Sequence, residues 1–269
     1  MASSGNERRM VFDIRGRRKN VVKVVYAILA LLMGASLFLA VGPVNIGSIL
    51  GSSNESSDAS AALIEQADKV EQKLKKDPEN PDLLVALTKS RISAGNAMAE
   101  LNPETGAAEV TAEGRVQLEK ASEAWSRYLK ATDEPTVGVA QSAASMLFSL
   151  ASTSRTIPET EANVQAAKQA QQIVAEQRPS LGTLSTLGYY QNFAFDFDGA
   201  KQSLREAEKL ANTKFERENL GNEFEQIEKR AKEFQKEVVR LEKEATKARK
   251  EGKPSLANPL SESNPLASP

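Results

Sequence analysis

Six prolines between residues 61 and 211 cut the middle of this 269-residue chain into short segments, and each segment carries apolar residues at helical spacing. Proline cannot continue a helix but suits its first turn, so such segments read as a succession of separate helices. The first is expected over Ala61–Lys76, with Leu63, Ala67, Val70 and Leu74 on one face, ended by Asp77-Pro78 and Asn80-Pro81. A second starts at Pro81 with Leu84, Leu87 and Ile92 inward, and Asn102-Pro103 to Gly114 reads as a polar loop or a broken helical extension. The third spans Arg115–Ala131 and carries Leu118, Ala121, Trp125, Tyr128 and Leu129. Pro135 opens a fourth (Val139, Ala143, Leu147, Leu150), and Pro158 a fifth (Val164, Ala167, Ala170, Val174) that stops at Pro179. Leu181–Phe193 and Asp198–Ala211 complete the set. No run alternates apolar and polar residues as a half-buried strand would. The expected class is all-α.

Helices in pairs that step at prolines suggest an internal repeat. Its clearest copy holds Leu184, Leu187-Gly188, Gln191, Ala200, Leu204 and Ala207, at offsets that resemble the tetratricopeptide repeat. The resemblance is fullest over 179–212, with Asn212 at the family's proline position. It is partial over 135–179, where Ala170, Val174 and Pro179 fit, and looser over 79–135, where Ala121, Trp125 and Pro135 fit after an insertion. The close-packing glycine is missing from both earlier repeats, Thr88 standing at one such position. The resemblance implies a solenoid of helical hairpins over 61–212, with Gly188 letting the first helix approach the second at Ala200, and a concave face. A generic helical bundle is the alternative. By the same resemblance Ser185, Tyr189, Asn192 and Phe193 line the concave face and are the candidate partner-binding residues. Five of the chain's fourteen aromatics fall between Tyr189 and Phe197, and rigid aromatic area beside an amide suits capture of a peptide.

A different pattern governs 213–250. Leu220, Phe224, Ile227, Ala231, Phe234, Val238, Leu241, Ala245 and Ala248 are spaced alternately by four and three, a heptad seam, and Glu and Lys fill the other positions. Two readings stay open. The long helix caps the last repeat, or residues 220–248 bind a partner helix or a second copy. Residues 251–269 are Pro/Ser-rich and are expected to be disordered, two Asn-Pro-Leu triplets at 258–260 and 264–266 notwithstanding.

At the other end, Val24–Val41 contains no charge, and extending it to Val21 admits only Lys23. Roughly 20 residues of helix cross a hydrocarbon core, so 21–41 is expected to be a transmembrane helix ended by Gly42-Pro43. Seven Lys/Arg precede Val24, and none follows until Lys69, so the positive-inside rule puts the basic segment 1–20 in the cytoplasm and the rest outside. A cleaved signal peptide is the alternative; its apolar region would be shorter and followed by small residues, where Val44-Asn45-Ile46 stand here. Residues 42–60 read as a Ser/Gly-rich linker.

Chemistry finds little to work with. The chain has no Cys and no His, which removes thiolate and imidazole metal sites and nucleophiles and the Ser–His–Asp triad. Asp77-Pro78-Glu79-Asn80 lacks the ligand spacing of a calcium loop, and no glycine-rich phosphate loop is present. Asp196 and Asp198 suggest a carboxylate pair, yet their place between two helices favours a turn in which Asp198 caps the next helix and Gly199 supplies small bulk. Residues 51–269 hold 28 Lys/Arg against 34 Asp/Glu, a balance of −6 that disfavours nucleic acid. The expectation is therefore a non-enzymatic, cofactor-free, single-pass scaffold binding protein partners outside the cytoplasmic membrane, in secretion, envelope assembly or chaperoning. In layout it resembles the anchored repeat proteins that attend the bacterial Sec translocon. The alternative is a structural protein that oligomerises through 220–248.

Overall fold

The computed structural model describes residues 53–101 and 108–250, which are helical apart from turns and one small hairpin. The chain divides into two compact units, Met1–Glu55 and Ser56–Pro269; of the first only Ser53–Glu55 is described, and the helical packing belongs to the second. The basic segment 1–20, the apolar span 21–41, the linker as far as residue 52 and the tail 251–269 lie outside the described residues. Among the described residues no helix is long and apolar enough to cross a membrane.

Among the described residues eight helices follow one another: α1 (Ser53–Leu74), α2 (Pro81–Ala97), α3 (Ala112–Ala131), α4 (Val137–Ser152), α5 (Ile157–Gln177), α6 (Leu181–Phe193), α7 (Phe197–Leu210) and α8 (Lys214–Lys250). α1 begins before the expected Ala61, so the end of the expected linker is helical. Local chemistry starts most of the others. Asn80 Oδ1 accepts from the Leu83 amide at 3.1 Å with Pro81 next in line, and Thr111 Oγ1 accepts from Gly114 N at 3.1 Å. Ser180 and Thr183 exchange side-chain and backbone bonds in a capping box at α6. Thr136 makes no side-chain cap; instead its amide donates to the buried Tyr128 hydroxyl at 3.0 Å, which ties the start of α4 to α3.

The expectation of no strand is corrected by a short antiparallel pair, β1 (Ala99–Leu101) and β2 (Ala108–Val110), in which Ala99 faces Val110. Three-residue strands of Ala, Glu, Leu and Val show no period to read. Two glycines at its base make it possible. A Cβ at Gly95 would lie 2.9 Å from the Gly114 carbonyl oxygen and 2.4 Å from Leu118 Cδ2, so α2 and α3 touch there backbone to backbone. The close approach of the first hairpin thus occurs at its tip and not at Thr88, whose hydroxyl bonds back to the Leu84 carbonyl.

The tightest pairs are α2 with α3, α4 with α5 and α6 with α7, and successive pairs meet through α3–α4, α2–α4 and α5–α6. The main core runs through α1 to α6: Ala67 and Leu74, Leu84 and Leu87, Trp125, Leu147, Val174 and Tyr190 among others. Arg91 is the charged member of this interior. Fully buried, it donates to Asp68 (2.6 Å) and Glu71 (2.7 Å) of α1 and to Gln117 Oε1 of α3 (2.7 Å), which binds three helices at one point.

α8 packs on α6 and α7. Its seam is covered within the chain: Leu220, Phe224, Ala231, Phe234, Val238 and Leu241 are all buried, and Ile227 is half-buried. The helix is too long for one helical pair to cover, and the structure covers it with several elements. Leu220 and Phe224 join Ala207 of α7, whereas Ala231, Phe234, Val238 and Leu241 join Ala151, Ile157, Val164 and Phe193.

Candidate partner-binding site

α6 presents the candidate residues on different sides. Ser185 is half-buried, and its hydroxyl donates to the Leu181 carbonyl at 2.7 Å within the helix. Tyr189 is half-buried one turn on, with its ring 5.3 Å from Phe148 and 5.0 Å from Phe193. Asn192 and Phe193 turn inward, 1% and 5% exposed. The Asn192 amide donates to the Gly188 carbonyl at 3.0 Å, while its Oδ1 is buried without a partner. So the four positions do not form one open surface: Ser185 and Tyr189 reach solvent, and Asn192 and Phe193 belong to the interior.

Around them lies an aromatic cluster drawn from three elements. Phe148 of α4 stacks on Tyr190 at 4.6 Å with the rings 14° apart, and it meets Phe193 edge-on at 6.1 Å. Phe234 of α8 stands 6.5 Å from Phe193 and 5.8 Å from Phe195. Geometries of this kind add to the area buried by each ring. Burial raises the Tyr189 and Tyr190 hydroxyls above their ordinary pKa, moderated by Arg230 at the first and by a hydrogen bond with Ser145 at the second. Both therefore stay protonated donors at neutral pH. Tyr190, Phe193 and Phe234 are buried and Phe148, Tyr189 and Phe195 half-buried, so the cluster is apolar interior with a partly exposed edge.

The turn between α6 and α7 shows how that surface is built. Phe195 takes φ 60°, a left-handed backbone that costs a non-glycine residue about 1 kcal/mol or more, and so turns its ring towards Phe234. Asp196, not the expected Asp198, caps α7: its Oδ1 accepts from the Gly199 amide at 3.1 Å, and its other oxygen lies 3.4 Å from Lys168 Nζ. A Cβ at Gly199 would stand 2.7 Å from that carboxylate, which is the small bulk the turn demands. The pair of aspartates is thus divided between a cap and an exposed position.

Gly188 has a role that the repeat pattern understates. A Cβ there would meet Phe224 Cε1 and Cζ at 2.4 and 2.5 Å, and the Ala200 carbonyl only at 3.4 Å. The missing side chain chiefly admits the ring of α8. Phe148 is the member of the cluster that the sequence does not single out, whereas Phe195 falls in the aromatic run from Tyr189 to Phe197 and the α8 seam in the heptad pattern. The seam was visible as a period, but a period names a face and not what the face meets. No family model, no curated protein and no solved structure matches the chain.

Proposed function

We propose that the chain is a membrane-anchored, non-enzymatic scaffold of the tetratricopeptide-repeat kind. It is held by residues 21–41 with its N-terminus in the cytoplasm, and it binds protein partners outside the cytoplasmic membrane. The observation that carries this reading is the succession of paired helices whose last pair is α6 and α7, with Tyr189 half-buried at the edge of an aromatic cluster and Ser185 half-buried one turn before it. The charge step across the apolar span supports the topology. Self-association through 220–248 is less favoured, because the seam from Leu220 to Leu241 is already buried within one chain.

The test is a photo-crosslinking amino acid at position 189 of the full chain in its native cells. One dominant protein adduct, lost when Ser185→Arg blocks the adjacent turn, is the expected result. Absence of any adduct there, with self-adducts from a probe at Gln235, would refute the scaffold reading in favour of the structural one. Protease digestion of intact cells stripped of their outer layers checks the topology: residues 61–250 should be digested and residues 1–20 spared.

A further inference from the structure

We infer that the surface beneath the distal half of α8 is a groove for an amphipathic helix, occupied in this state by residues Ala231–Leu241 as an internal ligand that a partner helix must displace. The inference rests on the scaffold reading and names the chemistry of the partner.

Four observations lead to it. First, α8 is held at two separate places. Its proximal half is keyed by Phe224 over Gly188 and joins Leu220 and Ala207, while its distal half lies on Ala151, Ile157, Val164 and Phe193. The two apolar clusters share no residue, so the distal contact can open while the proximal one keeps α8 attached.

Second, the distal helix carries side-chain pairs of its own. Arg240 pairs with Glu237 and with Glu244 (2.7 Å), Lys232 with Glu228 (2.6 Å), and Thr246 donates to the Glu242 carbonyl, all along α8 itself. Such i,i+3 and i,i+4 pairs persist when the helix leaves its seat. Third, what crosses the distal contact is mostly apolar; its polar contacts are Lys232, 5.5 Å from the centre of the Phe197 ring, and, where the two halves meet, Lys201 of α7, 3.4 Å from the Glu228 carboxylate. A like-charge pair opposes it: partial desolvation first, and Glu242 of α8 second, hold the Glu161 carboxyl above its ordinary pKa. Fourth, the groove keeps a strained turn whose Phe195 ring meets Phe234 of the occupant.

The occupant specifies its competitor. A partner helix needs a small residue, then an aromatic three positions on, a β-branched residue at seven and leucine at ten, after Ala231, Phe234, Val238 and Leu241. At eleven, where α8 places Glu242, a Lys or Arg would face Glu161 and remove the repulsion.

The chain lacks cysteine, so single thiols can be introduced without background. In the purified full-length chain, Val238→Cys should be alkylated at least 100-fold faster than Leu147→Cys, because the distal half opens without global unfolding; equal rates would overturn the inference. A labelled peptide of residues 227–247 carrying Glu242→Lys is then titrated into the wild type and into Phe234→Glu/Val238→Glu. At least tenfold tighter binding to the double variant is expected. A double variant that keeps native Trp125 fluorescence yet binds no better would overturn it, as would an α8-exchanged dimer, in which a second copy fills the groove. If the double variant unfolds, the thiol rates in otherwise unaltered chains still decide. Failure of these assays leaves the crosslink at Tyr189 standing, and loss of that crosslink alone leaves the helix-binding groove standing.

Discussion

Replacing Arg91 tests whether a buried cation joins α1 to the stack or merely fills space. Its guanidinium is fully buried, while the side chains of its partners Asp68 and Glu71 are 55% and 41% exposed. Arg91→Ala lets both carboxylates rehydrate at little cost, so the charge pairs themselves contribute modestly. Two other terms are larger. About two buried methylenes are lost, at about 0.8 kcal/mol each. Gln117, itself buried, loses the donor to its Oε1, which costs roughly 1–3 kcal/mol. The expected destabilisation is therefore about 3–5 kcal/mol. Arg91→Met restores the stem and should cost only about 1–3 kcal/mol, chiefly through Gln117. Adding Gln117→Leu to Arg91→Met removes the orphaned acceptor and should bring stability to within about 1 kcal/mol of the wild type, since an apolar replacement of a buried polar set is often neutral. Trp125 is the chain's only tryptophan and is buried in α3, so urea unfolding followed by its fluorescence reports the region directly. Equal losses for Arg91→Ala and Arg91→Met would refute the packing term. A double variant less stable than Arg91→Met alone would refute the role given to Gln117.

Gly95→Ala gains about 1 kcal/mol of helix propensity, but its Cβ would overlap Leu118 and crowd the Gly114 carbonyl. A net loss of about 1–2 kcal/mol is expected by the same fluorescence assay; a stabilised variant would mean that α2 and α3 separate freely at the hairpin. Asp196→Ala should cost about 1 kcal/mol by removing the α7 cap, whereas Asp198→Ala at an exposed site should change thermal stability by less than about 0.5 kcal/mol. Reversal of that order would return the cap to Asp198. The folded state holds the Glu161 proton more tightly than the unfolded chain, whose carboxyl titrates near 4.5. Its contribution to stability is therefore fully present below the unfolded value and is lost as pH rises through the raised folded one. Urea titrations of the wild type and Glu161→Gln from pH 4 to 7 should show the variant gaining relative to the wild type as pH rises; parallel curves would refute the upward shift that partial desolvation first, and Glu242 second, impose on Glu161.

Much of the helical succession is legible in the sequence, and the reason is local. Asn80-Pro81, Ser180 with Thr183, and the three-to-four spacing of apolar residues act over one or two turns, so α6 is expected and found over Leu181–Phe193. The same local chemistry misplaces the α7 cap by two residues, because Asp196 and Asp198 are both competent acceptors. Only the left-handed Phe195 and the bare Cα of Gly199 set Asp196 under the helix end. The candidate site divides in the same way. A concave face inferred from repeat offsets groups Ser185, Tyr189, Asn192 and Phe193, and packing separates them into rim and interior.

What the sequence by itself determines is a set of helices, the width of their apolar stripes and the strong charge asymmetry around 21–41. What only the tertiary structure decides is which stripe meets which. The seam of α8 has the same period whether it faces a second chain or the helices of its own. The choice rests on a glycine that admits Phe224, a strained turn that offers Phe195, and an apolar seat at Ala151, Ile157 and Val164. These positions lie far apart in the chain, and the apolar surface they share exists only once the helices have packed.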